Sequence, residues 1–565
     1  MRRIRAAWGL LAAAALVAAG TPGLMAQAPR YDLVLRGGRV VDGTGNPWRL
    51  ADVAVRGDRI VSIGALAAGS GRREIDARGR VVAPGFIDAH SHSDYTLLED
   101  GHAESKIRQG VTTEVLGEGG SVGPFVGELA AKEVTARGRT LSWRRVSEYL
   151  DLIDRLGTSL NVATFVGVDN VWQSVMGQSH ARPSAEQFQR MRTLVSKSMK
   201  EGAFGLSSML AMPPGSLAKT DDLVLLARAA AEQEGLFSTH NRNEGTGVMG
   251  AIDEAITISE QARLPVDIIH LKIADQQLWR RMPEIVARIE AARKRGHDVQ
   301  ANVYPYTRGS NNLASIIPPW VHEGGSKAML ERLRNPALRE RIRREVTGGI
   351  PGWYNHYTAI GGDWSRMLIA APGPLQGKTM DRILAERGPA GSDLLDRFFE
   401  LLIENGGTVA TVYEHHTEED MTLAMRQPWC SIGSDGSAFA TSGPLRRGNP
   451  HPRSFGTFPR VLGVYVREKN TLRLEDAVRK MTSLNAAKLG LTDRGILRPG
   501  NFADITVFDP QTVVDRATYT DPFQYPVGIE HVVVNGTVVL EAGRHTNAQP
   551  GKALRHRAMQ GETAP

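Results

Sequence analysis

The sequence predicts an α/β protein: a (β/α)8 barrel of the TIM type, a small β-sandwich built from both chain ends, and a subdomain inserted over the barrel mouth. Three observations predict it. Short apolar runs alternate with amphipathic helical segments through most of the chain, the rhythm of a parallel sheet with crossover helices. The first and last segments instead alternate apolar and polar residues around glycine turns, as half-buried antiparallel strands do. A stretch from about 310 to 379 breaks the barrel rhythm with Pro318-Pro319 and a charged helix, Ala328–Val346.

Taken in order, residues 1–26 read as a signal peptide. Arg2, Arg3 and Arg5 precede an apolar run from Ala6 to Ala19, and Leu24-Met25-Ala26 ends in a small residue. The run is short for a membrane span, although an uncleaved N-terminal anchor is the competing reading. The protein is therefore expected to be exported and periplasmic, with no stable membrane insertion after cleavage. Residues 31–83 carry the first part of the sandwich, in Tyr31–Asp42 and Asp52–Ile63. Residues 84–490 carry the barrel. The apolar runs of the alternating rhythm are Val81-Val82-Ala83, at the boundary, then Thr112–Leu116, Asn161–Val166, Gly235–Thr239, Val266–Ile269, Val299–Val303, Thr408–Val412 and Ser431–Gly433. Helices are expected at Asp221–Glu234, Pro283–Lys294 and Leu474–Leu489. Residues 491–545 return to the sandwich through Asp504–Phe508 and Ile529–Val534, where Asn535-Gly536 signals a hairpin. Residues 546–565 read as a flexible polar tail.

Composition narrows the function. With 41% hydrophobic and 23% charged residues, the 565-residue chain is an ordinary globular one, neither wholly disordered nor multi-spanning. Its single cysteine, Cys430, excludes an intramolecular disulfide and any zinc site built on two or four thiolates. The net charge of +7 loses three arginines with the signal peptide, leaving +4, and the remaining basic residues are dispersed. A nucleic-acid partner is not expected.

The chemistry sits at strand ends. Phe86-Ile-Asp-Ala-His90-Ser-His92 places two imidazoles at i and i+2, on one side of a strand, where both can reach one ion. Read alone, the pair could simply face solvent. His240 and His270 each follow an apolar strand, as does Asp435 after Cys430–Ser434. Singly these would be hydrogen-bonded or capping residues; together, at the end of a barrel where active sites form, they make a ligand set suited to Zn²⁺. Glu118, in the glycine-rich Gly117-Glu118-Gly119-Gly120, would be a bland surface residue in an open loop but a ligand or bridge inside the mouth.

The ordered set resembles the amidohydrolase superfamily and, within it, the D-aminoacylase (N-acyl-D-amino-acid deacylase) family. Pro84–His92 resembles the superfamily's first metal motif, and Thr239–Glu244, His270-Leu-Lys272 and Ser434-Asp435-Gly436 resemble later ones. Tyr304-Pro-Tyr306 and His451–Gly463 resemble the D-aminoacylase branch, and Gly495–Ile505 the superfamily's return to its sandwich. Typical members carry Gly-Asn-Cys-Gly after the first motif, with the cysteine a zinc ligand. Here Gly119 aligns with that cysteine. Either Glu118 takes over as an oxygen ligand, or the site loses a ligand and holds its metal differently.

The resemblance implies one or two Zn²⁺ ions on His90, His92, Glu118, His240, His270 and Asp435, acting on a small-molecule N-acyl amino acid. Asp435 is also the implied proton shuttle. Tyr304 is the implied partner of the acyl oxygen. Lys272, Arg308 and Arg453 are candidates for the substrate carboxylate, since cations, and guanidinium groups especially, grip carboxylates. Two alternatives stay open: hydrolysis of a cyclic amide, lactone or dipeptide, and a non-catalytic periplasmic binding protein on the same scaffold. The first commonly uses a carboxylated lysine bridge, for which no lysine is placed. His102, His180, His297, His322, His415, His416 and His451 read as structural, with His415-His416, after a predicted strand, the pair most open to another role.

Overall fold

The computed structural model describes residues 30–388 and 391–556; the segment read as a signal peptide lies outside them. Eight parallel strands form the barrel: β1 (Phe86–Asp88), β2 (Val111–Leu116), β3 (Asn161–Thr164, continued by Val166–Gly167), β4 (Gly205–Met209), β5 (Leu236–His240), β6 (Val266–Ile268), β7 (Val299–Val303) and β8 (Cys430–Ile432). Each pairs in parallel with the next. β8 and β1 meet just past their ends, where the Asp435 N–H donates to the His90 carbonyl at 2.8 Å and the His92 N–H to the Gly436 carbonyl at 3.1 Å.

Two expected barrel runs lie elsewhere. Val81–Pro84 is a sandwich strand, antiparallel to Ile505–Phe508, and this pairing splices the two chain ends into one sheet. The far edge of that sheet folds back through a bridge between Arg59 and Phe502, enclosing Leu33, Val53, Val55, Ile60, Val82, Ile505 and Val533. The other displaced run, Ala410–Glu414, is the central strand of a separate antiparallel sheet, flanked by Arg308–Asn312 and Met367–Ile369. An apolar run of five residues suits either sheet, so its sequence could not choose. The inserted subdomain accordingly spans about 308–414, with its own core of Leu313, Leu333, Ile342, Phe398 and Tyr413. β4 carries no apolar run in the sequence because Ser207 and Ser208 interrupt it, although both are buried.

The charged helix expected at Ala328–Val346 is two helices, Gly325–Arg334 and Pro336–Gly348. Pro336 has no N–H to continue the first, and the Asn335 side chain caps the second by accepting from the Ala337 and Leu338 N–H groups. Leu474–Leu489 similarly divides at Thr482. The tail departs from its expected flexibility as far as residue 556. The Val162 N–H donates to the Lys552 carbonyl at 2.9 Å and the Leu554 N–H to the Val162 carbonyl at 2.7 Å, so the segment adds to the edge of β3. Residues 557–565 lie outside the described residues.

Candidate metal centre

The C-terminal ends of β1, β5, β6 and β8 and the loop after β2 deliver their side chains to one point. His270 and Asp435 both carry left-handed backbone angles, φ 37° and 53°. Such angles are costly outside glycine and cluster where function demands them; each follows the last regular residues of its strand.

Two donor groups result, each with its ligand atoms within 4.8 Å of one another: His90, His92, Glu118 and Asp435, and Glu118, His240 and His270. Glu118 belongs to both. Its Oε2 lies 2.6 Å from His90 Nε2 and 3.1 Å from His92 Nε2, and its Oε1 lies 3.8 Å from His270 Nε2. His92 Nε2 is 3.0 Å from Asp435 Oδ1. The donors fit a divalent metal. The His240 Nδ1–H donates to the Asn241 carbonyl, 2.9 Å, which leaves Nε2 as a free lone pair. His270 Nδ1 lies between Glu244 Oε1, at 3.1 Å, and the Lys272 ammonium, at 2.8 Å, which together fix the ring with Nε2 towards the other donors. Imidazole nitrogens with two carboxylates, one of them shared, suit Zn²⁺ in one or two positions.

Gly119 stands where a side chain would be strained and crowded. Its φ is +58°, and a Cβ there would lie 2.5 Å from the Met209 Cβ. No side chain fits at 119, and the longer Glu118, one residue earlier, reaches the centre instead.

Electrostatics favour the carboxylates in their charged form. Burial alone would raise Asp435, but Arg453, His90 and His92 outweigh it and hold it well below the usual carboxylate range. Glu118 is likewise held down, against burial, by His90, His270 and His92. The ligands rest on a buried support. The Lys106 ammonium, wholly inaccessible, bonds Asp88 at 2.8 Å, Glu114 at 2.9 Å, the Ser434 hydroxyl at 2.8 Å and the Gly436 carbonyl at 2.8 Å. Ser434 and Gly436 flank Asp435, while Glu114 accepts from Ser91 and Ser93 on either side of His92. One cation thus keys the two strand ends that carry three of the ligands.

The four expected substrate residues separate. Arg453 lines the cavity above the donors and bonds Asp435 Oδ2 at 2.7 Å. Tyr304 packs beneath it, the guanidinium 4.8 Å from the ring centroid, with its hydroxyl buried and unbonded. Burial raises that hydroxyl well above its ordinary range, so it remains a donor. Lys272 does not face the cavity: its ammonium sits 2.5 Å from Glu244 and 2.8 Å from His270 Nδ1, because a buried ammonium needs a counter-ion and Glu244 supplies it. Arg308 is also turned away, paired across the insertion's strands with its register partner Glu414 and stacked on Tyr519. Sequence reasoning missed His451 and Asp169, both of which line the cavity. The His451 Nε2–H donates to the Arg308 carbonyl and its Nδ1 accepts from the Arg453 N–H, which orients Arg453. His415 and His416 bond each other at 2.9 Å, with His416 also donating to the Tyr306 carbonyl, and burial keeps both neutral.

A barrel whose strand ends gather four histidines and two carboxylates under a cavity of about 620 Å³ is the frame of a metal-dependent hydrolase. The chain belongs to the amidohydrolase family, whose sequence profile matches residues 73–302 and 374–540. Within it the full-length likeness is to the D-aminoacylase branch. The chain is 35% identical to an N-acyl-D-glutamate deacylase of Alcaligenes xylosoxydans xylosoxydans, over 94% of this chain and 97% of that one. Two solved structures superpose with TM-scores of 0.76 over 93% of this chain and all of theirs. One is an N-acyl-D-glutamate deacylase from Bordetella bronchiseptica, 33% identical, complexed with zinc and a phosphonate that mimics the tetrahedral intermediate. The other is a D-aminoacylase, 34% identical, described by one-metal activation and second-metal attenuation at a binuclear centre.

Proposed function

We propose that this protein hydrolyses the amide bond of N-acyl-D-amino acids, releasing a carboxylate and a D-amino acid, in a zinc-dependent reaction. The observation that carries the reading is Asp435: a charged carboxylate shared between the donor cluster and a cavity-lining arginine, in a chain similar over nearly its full length to deacylases of that class. When bound on His90, His92, Glu118, His240, His270 and Asp435, zinc supplies a water acidified to a pKa of about 7 and a Lewis acid for the acyl oxygen.

The protein's own groups do the rest. Asp435 takes the proton of the attacking water and returns it to the leaving nitrogen, which departs as an amine only when protonated. The Tyr304 hydroxyl, buried without a bond, donates to the oxygen on which negative charge develops. Arg453 offers its remaining guanidinium donors to the substrate carboxylate. Export as a periplasmic protein remains part of this reading, resting on the Arg2–Ala26 pattern; mass spectrometry of the mature N-terminus tests it.

The deciding experiment is release of amine from N-acetyl-D- and N-acetyl-L-amino-acid pairs before and after chelation. D-selective turnover abolished by chelator and restored by zinc is expected, with Asp435→Asn lowering kcat by about 10²–10⁴-fold. Equal turnover of the L series, or an Asp435→Asn rate within a few-fold of wild type, contradicts the reading.

A further inference from the structure

Among the described residues, the charged groups on the wall of the metal cavity outside the metal donors have a counter-ion or bonded partner, with one exception. Arg453 is paired with Asp435, and Arg447 at the mouth with Glu99. Both ring nitrogens of His451 are bonded. Asp169 differs. It lines the cavity beside Met209, Ala211 and Met212, yet belongs to neither metal donor group and forms no ion pair among the described residues. Its Oδ1 is buried and accepts no hydrogen bond.

The surroundings keep room for this carboxylate and give it no counter-charge among the described residues. A Cβ on Gly215 would stand 3.0 Å from Oδ1, and one on Gly119 would stand 3.3 Å from Oδ2, so glycines border both oxygens. Burial, with the neighbouring Glu118 charge, pushes the Asp169 carboxyl up to about 7, and the nearby Gly215 N–H offsets only part of this. A buried acceptor facing a ligand cavity without a bonded partner is costly in the free protein, and a bound donor recovers that cost. The methionines and Ala211 beside it form an apolar wall suited to an alkyl stem, and a carboxylate at the end of such a wall matches an ammonium carried on that stem.

We propose that Asp169 is a recognition carboxylate that receives an ammonium group of the substrate and disfavours acidic substrates. The ammonium can come from the amino-acid side chain or from the acyl group. On the reading above, Arg453 and Asp435 take the α-carboxylate and leaving nitrogen on the β8 side, which leaves the Asp169 side, at β3 and β4, for either substituent. The inference rests on that reading for the reaction, but not for the binding preference. It sets this chain apart from its N-acyl-D-glutamate-deacylase relatives in substrate charge.

Two matched pairs test it: N-acetyl-D-lysine against N-acetyl-D-norleucine, and N-(4-aminobutanoyl)-D-norleucine against N-butanoyl-D-norleucine. On the zinc-loaded protein, kcat/KM is expected to favour the ammonium-bearing member by threefold or more in one pair, and the pair that responds identifies the substituent. N-acetyl-D-glutamate should be the poorest substrate. In Asp169→Asn, which keeps the shape and removes the charge, the ratio should drop below threefold and N-acetyl-D-glutamate should improve relative to N-acetyl-D-norleucine. Ratios below threefold in both pairs, or a ratio that survives Asp169→Asn, overturn the proposal. Should that variant not fold, the wild-type ratios decide. If none of the compounds is hydrolysed, the deacylase reading fails. The same compounds then serve as inert ligands, and calorimetric Kd ratios judge Asp169 by the same threshold.

Discussion

Glu118 shows how much a single side chain can carry. It joins two donor groups that would otherwise be separate clusters of three and two ligands. Removing it should therefore cost the shared position while the imidazoles stay on their strands. Glu118→Ala is expected to weaken zinc binding by about 10–100-fold, the scale seen for lost support at metal sites, read by competition with a chelator. Affinity within twofold of wild type would mean that the carboxylate only fills space. Asp435, Arg453 and Tyr304 form a second unit, in which Arg453 both holds Asp435 charged and stacks on Tyr304. Effects of substitutions within this unit will not add, since each group shares partners with the next.

At the scale of elements, the centre depends on how β1 and β8 meet. They share no regular ladder, so Lys106, between Asp88 and Glu114, takes that part. Lys106→Met would leave two buried carboxylates without their cation, a loss of about 3–5 kcal/mol, and should also weaken zinc binding because Ser434 and Gly436 lose their tether. Urea unfolding and chelator competition measure the two effects separately. A second buried lysine provides the contrast. Lys480, in the helix Leu474–Met481, donates to the carbonyls of Gln427 and Cys430, at the start of β8 and away from the metal. Burial lowers it from 10.5 to about 8. Because the unfolded chain holds that proton more tightly than the folded one, this lysine destabilises the fold below about pH 8, and the penalty disappears as pH rises towards 10.5. Wild type should thus gain stability over that window relative to Lys480→Met, by about 3 kcal/mol. Parallel pH dependences in the two proteins would exclude it.

For the molecule as a whole, the chain ends do more than close a sandwich. After leaving the sandwich, the C-terminal segment crosses to the barrel, bonds along Thr158–Val162, and pairs Arg555 with Asp151 and Asp154. Truncation after His545 should raise hydrogen exchange at the Val162 amide by about tenfold or more, because its acceptor, the Lys552 carbonyl, is gone. Zinc affinity should stay unchanged, since the metal ligands follow the opposite ends of the strands. Unaltered protection at Val162 would show that the tail merely rests there.

The sequence by itself determined the class of fold and singled out the strand-end histidines, Asp435 and Glu118 as candidate ligands, because each depends on local signals: an apolar run, its end, and a metal-binding residue placed there. It also named Arg453 as a candidate for the substrate carboxylate, alongside Lys272 and Arg308, and of the three Arg453 lines the cavity. Only the tertiary structure decided where Val81–Pro84 and Ala410–Glu414 belong, since the same alternation satisfies two different sheets until pairing partners are known. It also turned Lys272 and Arg308 away from the cavity, because each cation's nearest counter-ion, Glu244 or Glu414, is set by packing rather than spacing. Asp169 was invisible for the converse reason. Its distinction is an absent partner, and a missing contact has no signature in a chain read one residue at a time.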